Sequence, residues 1–79
     1  LEMKKSEEIF GKILKKIRAE KGFSQEKLAL EADLDRTFIS LLERGLRQPS
    51  LNTLLQISKS LDIKASEIVA QVEIELSNI

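Results

Sequence analysis

Residues 23–45 read FSQEKLALEADLDRTFISLLERG, and the way this stretch divides decides the organisation of the chain. Ser24 stands where a helix N-cap would, with Phe23 and Leu28 at the two positions of a hydrophobic staple. The same device recurs at Asp35, flanked by Leu34 and Ile39. The pattern predicts one short helix over about Gln25–Ala32 and another over about Arg36–Arg44. Only Asp33 and Leu34 separate Ala32 from the Asp35 cap. Two short helices on so tight a turn must cross steeply, which is the helix-turn-helix arrangement.

Working outward, Ile9, Phe10, Ile13, Leu14 and Ile17 recur at helical spacing, and Gly22 sits where a C-cap would. A first helix is therefore expected from about Ser6 to Lys21. Downstream, Gly45 ends the third helix and Leu46-Arg47-Gln48-Pro49 forms a loop. Ser50 then caps a fourth helix with Leu51, Leu54, Ile57 and Leu61 at core spacing, which Asp62 and Ile63 break. A fifth helix, about Lys64 to Leu76, carries Ala65, Ile68, Val69, Val72 and Leu76 in one stripe. No strand alternation, repeat or low-complexity tract interrupts this pattern. The expected class is all-α with five helices, and 79 residues make one domain.

Composition removes several functions. The chain has no Cys, His, Tyr or Trp, so it offers no disulfide framework and no thiolate, and lacks the commonest metal ligand and general base. With no metal-ligand cluster or glycine-rich phosphate loop, neither an enzyme nor a metal or other cofactor is expected. A substrate-sized pocket, and with it a small-molecule ligand, is not expected either. Apolar runs are far short of the ~20 residues of a membrane span, and the charged N-terminus lacks an apolar signal core. A cytoplasmic protein with no membrane partner follows. The opening Leu1-Glu2-Met3 reads as if Met3 were the natural start.

The charges cancel, 13 basic against 13 acidic, but they are unevenly spread. Residues 36–50 hold Arg36, Arg44 and Arg47 against Glu43 alone, whereas from Ala65 onward the only charges are Glu67, Glu73 and Glu75. Lys12, Lys15 and Lys16 form a row on the first helix that reads as a solvated face.

The third helix has a second face to explain. With Ile39 and Leu42 turned to the core, Arg36, Thr37, Ser40 and Leu41 point elsewhere. The plain reading is the outside of a small bundle with one more scattered leucine. The sharper reading is a DNA-reading surface, since a helix enters the major groove with its N-terminal residues nearest the bases. Arg36 could then place its fork on guanine O6 and N7, Thr37 and Ser40 supply hydroxyls, and Leu41 meet thymine methyls. Phe38 could support Arg36, pack on sugar or thymine methyl, or edge the core.

Around that face, the start of the second helix at Ser24 and Gln25 offers free N–H groups and a positive dipole end to a phosphate. Arg44, Arg47, Gln48 and Asn52 lie where they could grip the backbone on the other side, contacts that set register more than sequence. Arg47 could equally swing into the groove. On the fifth helix, Val69, Val72 and Leu76 continue beyond what a small core needs. With Leu55 and Leu61 nearby, they suggest a two-fold self-contact.

The runs IRAEKGFSQEKLA, LDRTFISLLERG and LNTLLQISKSLDI together resemble the phage-repressor type of helix-turn-helix domain, the Xre or Cro/C1 family. The resemblance covers roughly residues 10–69 and rests on Arg18, Gly22, Ser24-Gln25, Leu28-Ala29, Ile39, Glu43-Arg44-Gly45 and Leu54. The LDRTFIS run and the small size are similar to the controller proteins of restriction-modification systems. Three expectations come from the resemblance itself. Gln25 occupies a phosphate-touching position, Arg18 pairs with Glu43 in a partly buried bridge, and the turn between helices 2 and 3 is left-handed. The family usually has Gly in that turn, where this chain has Asp33.

The functional expectation is a homodimeric regulator of transcription that binds double-stranded DNA. The helix-turn-helix spans about residues 25–44, and the C-terminal helix, about 64–76, serves dimerisation. Two-fold symmetry then implies a pseudo-palindromic operator with half-site centres ~34 Å apart. The narrower resemblance implies a controller of its own restriction-modification operon. A phage-type repressor or an antitoxin would use the same five helices, and a protein-interaction module is the rival from another class.

Overall fold

The structure is a computed structural model that describes residues 2–78. It contains five helices and, among the described residues, no strand: α1 (Glu2–Glu20), α2 (Gln25–Ala32), α3 (Arg36–Glu43), α4 (Leu51–Ser60) and α5 (Ala65–Ser77). The first helix begins four residues ahead of the expected Ser6, because EMKK carries no breaker and simply extends the turn. Arg44 is the C-cap of α3 and not its last helical residue.

The starts of three helices are fixed by side chains. The Lys27 N–H donates to Ser24 Oγ at 3.0 Å, the Thr37 N–H to Asp35 Oδ1 at 3.2 Å and the Thr53 N–H to Ser50 Oγ at 3.1 Å. Each bond satisfies a donor that the first helical turn leaves without a backbone partner.

The first four helices end alike. After α1, the Phe23 N–H reaches Arg18 O and the Gly22 N–H reaches Ala19 O. After α2, Leu34 bonds Ala29 and Asp33 bonds Leu30. The same pair of bonds follows α3 at Gly45-Leu46 and α4 at Asp62-Ile63. This is the Schellman closure, which needs a left-handed residue. Gly22 (φ 76°) and Gly45 (φ 74°) supply it twice, and Asp33 (φ 57°) and Asp62 (φ 54°) supply it at the two other ends.

Phe10, Ile13, Leu14 and Ile17 from α1 meet Leu28, Ala29 and Ala32 of α2 in a core that Ile39, Leu42, Ile57, Leu61 and Ile68 complete. Helix α1 packs on α3 and α5, while α2 packs on α3 and α4. The crossing of α1 over α3 depends on Gly11, where an added Cβ would lie 2.4 Å from Leu42 O and 2.6 Å from Glu43 O. Only a residue without a side chain lets the two backbones approach so closely.

Two expectations about α4 are corrected. Leu51 has core spacing in the sequence but is 72% exposed, because it opens the first turn of α4, ahead of the turns that reach the core. Leu61 was expected at a self-contact but is 1% exposed, enclosed by the protomer's own core and so unavailable to a second copy.

Candidate nucleic-acid interface

Helix α3 buries Ile39, Leu42 and Glu43. The ridge opposite them carries Thr37 and Arg44, both exposed, with Ser40 and Leu41 half-buried beside them. Leu41 is therefore less bare than its sequence position suggests. Arg36 is exposed at the first turn, and Phe38 is half-buried against the core, at its edge.

No acidic group shares this ridge. Asp35 lies at the end of α3, where it caps Thr37. Glu43 is turned inward, its side chain 3% exposed. A helix face stripped of carboxylates and edged by guanidinium groups can approach a polyanion without like-charge repulsion.

Glu43 joins three helices. Arg18 Nε donates to its Oε2 at 2.5 Å and Arg18 Nη2 to its Oε1 at 3.1 Å, a fork that fixes both groups. Gln25 Nε2 adds a bond to the same Oε1 at 3.0 Å. Arg18 Nη1 also donates to Phe23 O at 2.7 Å, so the guanidinium holds the backbone just ahead of α2. With the Arg18 side chain 13% exposed, the pair is largely shielded from water. The network ties the start of α2 and the end of α3 to the last turn of α1.

The Gln25 side-chain amide donates one hydrogen bond to Glu43, and the open end of α2 beside it presents backbone N–H groups. The first backbone bond of that helix is Leu28 N–H to Ser24 O, so the N–H groups of Gln25 and Glu26 precede the ladder and face outward. Ser24, Arg44, Arg47, Gln48 and Asn52 are all exposed. Arg44, Arg47 and Gln48 belong to the segment that leaves α3, and Asn52 to the first turn of α4.

Among the self-contact candidates, Leu55 (49%) and Val69 (42%) are exposed, while Val72 and Leu76 are half-buried. Sequence reasoning missed Gly11. An isolated glycine inside the apolar stripe of α1 was the available signal for a close helix approach.

Two short packed helices on a tight left-handed turn, a carboxylate-free ridge and flanking arginines define a DNA-binding helix-turn-helix protein. The helix-turn-helix family model matches residues 14–68, and the chain belongs to that family of transcription regulators. Its relatives include control protein C.MunI of a Mycoplasma species, 48% identical over 67 residues that span 84% of this chain and 90% of that protein. Control protein C.BamHI of Bacillus amyloliquefaciens is 45% identical over 62 residues, 77% of this chain and 76% of that one. Among solved structures, restriction-modification controller protein C.Esp1396I, a tetramer in complex with its natural 35-base-pair operator, superposes with a TM-score of 0.80 at 35% identity. That match covers 90% of this chain and 93% of the controller.

Proposed function

We propose that the protein is the controller of a restriction-modification operon, acting in the cytoplasm as a homodimer on a pseudo-palindromic operator. The observation that carries the DNA reading is the ridge of α3, where Arg36, Thr37, Ser40, Leu41 and Arg44 stand together and both nearby carboxylates are used internally. The similarity to control proteins supports the narrower role.

Each subunit lays α3 in the major groove of one half-site. Arg36 takes guanine with its planar fork, Thr37 and Ser40 reach base edges, Leu41 lies against thymine methyls, and Phe38 braces the ridge. The open N–H groups at Ser24-Gln25 hold a phosphate on one side, and Arg44, Arg47, Gln48 and Asn52 hold the backbone on the other. Leu55, Val69, Val72 and Leu76 face the second subunit. The chain needs no bound small molecule in this scheme, so occupancy is set by protein concentration and self-association.

Salt tests the reading. Two arginines per subunit on phosphate, Arg44 and Arg47, make four per dimer, so log K should fall with log salt with a slope of about −3 to −4. Arg47→Ala should flatten that slope by about 2 per dimer, measured by fluorescence anisotropy on an operator duplex. A slope near zero would remove the DNA reading and leave a protein-interaction module.

A further inference from the structure

Two glycines mark where α1 meets the chain leaving α3. Gly11 of α1 leaves room for the carbonyl groups of Leu42 and Glu43, which an added Cβ would meet well inside van der Waals distance. Gly45, just past α3, leaves room for α1 in return, since a Cβ there would lie 2.9 Å from Glu8 Cα and 3.4 Å from Glu8 N. Glu8 and Gly11 stand three residues apart, on one face of the helix. Residues 42–45 therefore run along that face at backbone contact, with a glycine provided from each side.

Gly45 is buried, while Arg44, Leu46 and Arg47 around it are exposed. Its left-handed conformation (φ 74°) allows the closing bond from Leu46 N–H to Leu41 O, so it sets the direction in which the chain leaves α3. The next residues stay close to the same helix, since Gln48 and Pro49 share the lining of one small cavity with Ser6 and Phe10. The Arg18–Glu43 network holds α3 from the last turn of α1, at residue 43. Support beyond that residue comes from the front half of α1, at residues 6–11. These turns lie ahead of residue 14, outside the segment shared with the family model.

We propose that the front turns of α1 aim the phosphate clamp: the backbone at Glu8, seated on Gly45, fixes where Arg44 and Arg47 point. The inference rests on the reading above that these two arginines hold the DNA backbone. Glu8 acts through position and touches no DNA itself. A tilt of the chain at Gly45 would carry both guanidinium groups away from their phosphates, because each sits at the end of a long side chain. Arg36 lies at the other end of α3 and would keep its place. The clamp and the base-reading turn are thus supported separately, one by the front of α1 and the other by α2 and the core.

Glu8→Pro tests this. Proline there removes the N–H that bonds the carbonyl of residue 4, and its ring clashes with that carbonyl, so the turns ahead of it are lost while a helix can still start. Phe10 and the rest of the core stripe follow it, so the variant should fold, which circular dichroism checks. On an operator duplex, fluorescence anisotropy should give a salt slope flatter than that of the wild type by about 2 per dimer, with binding roughly tenfold weaker at ~0.1 M salt. Adding Arg47→Ala to Glu8→Pro should flatten the slope less than the same change does in the wild type. Glu8→Ala, which keeps the helix, should keep the wild-type slope.

Gly45→Ala gives an independent reading, with Gly22→Ala as its control. Both replace a left-handed glycine, at φ 74° and 76°, but a Cβ at Gly22 meets nothing within 4 Å. Gly45→Ala should flatten the slope as Glu8→Pro does, whereas Gly22→Ala should lose stability and keep the slope. A wild-type slope in both Glu8→Pro and Gly45→Ala overturns the bracing, and so does an equal flattening in Gly22→Ala or Glu8→Ala. A wild-type slope near zero, or one that Arg47→Ala leaves unchanged, overturns the clamp reading beneath it.

Discussion

Replacing Glu43 with alanine tests the assembly of the motif most sharply. The substitution removes the acceptor for Arg18 Nε and Nη2 and for Gln25 Nε2. Removing one partner of a buried ion pair costs ~3–5 kcal/mol, mostly because the remaining charge is left uncompensated. Here Arg18 keeps its bond to Phe23 O and a 13% exposed side chain, which places the cost at the lower end, about 3 kcal/mol. A domain of this length has ~4–12 kcal/mol in total, so the variant loses a large part of it. At ~4–8 °C per kcal/mol, its melting temperature should fall by roughly 12–24 °C. Urea denaturation followed by circular dichroism, at one fixed protein concentration, gives the number without confusing it with dissociation. A double-mutant cycle with Arg18→Ala should return a coupling above ~1 kcal/mol. A variant that melts with the wild type, or a coupling near zero, would refute the claim that this network holds α1, α2 and α3 together.

Two backbone positions give further predictions. Gly11→Ala should destabilise the protein by about 2 kcal/mol or more in the same urea assay, despite alanine's higher helix propensity, because its Cβ would run into the Leu42 and Glu43 carbonyl oxygens. Asp33→Gly should raise the melting temperature slightly, with a gain of up to about 1 kcal/mol, since glycine adopts the left-handed turn at φ 57° without a side-chain penalty. A drop in stability on that substitution would show that the Asp33 side chain contributes something the turn geometry does not require.

What the sequence announces and what it conceals divide along contact range. Ser24, Asp35 and Ser50 declare their helices locally, since a cap bonds an N–H two or three residues away. Gly22 and Gly45 declare helix ends in the same local way. Leu51 and Leu54 share helical spacing with Ile57, yet spacing alone does not say which turn of a helix clears the core, and Leu51 clears it. Leu61 fits both the core spacing of the fourth helix and a self-contact, and only the non-local packing of the helices places it in the core. The Gln25–Glu43 bond joins residues 18 apart, a range that no local pattern announces. Gly11 acts through the carbonyl groups of Leu42 and Glu43, more than thirty residues downstream. The ridge of α3 is legible as a set of residues, and its freedom from carboxylates follows from Glu43 facing inward, as the family resemblance implies.

The central claim is sequence-specific reading of two-fold DNA by α3, and selection from a random double-stranded DNA pool tests it most directly, with Arg36→Ala run in parallel. The account predicts enrichment of a pseudo-palindromic motif with half-site centres about one helical turn apart. It predicts that the Arg36 variant loses preference at one base pair, a guanine contact, in each half-site, at a cost of ~1–3 kcal/mol. A pool that stays random at low salt, or an Arg36 variant that selects the same motif with the same strength, would contradict it.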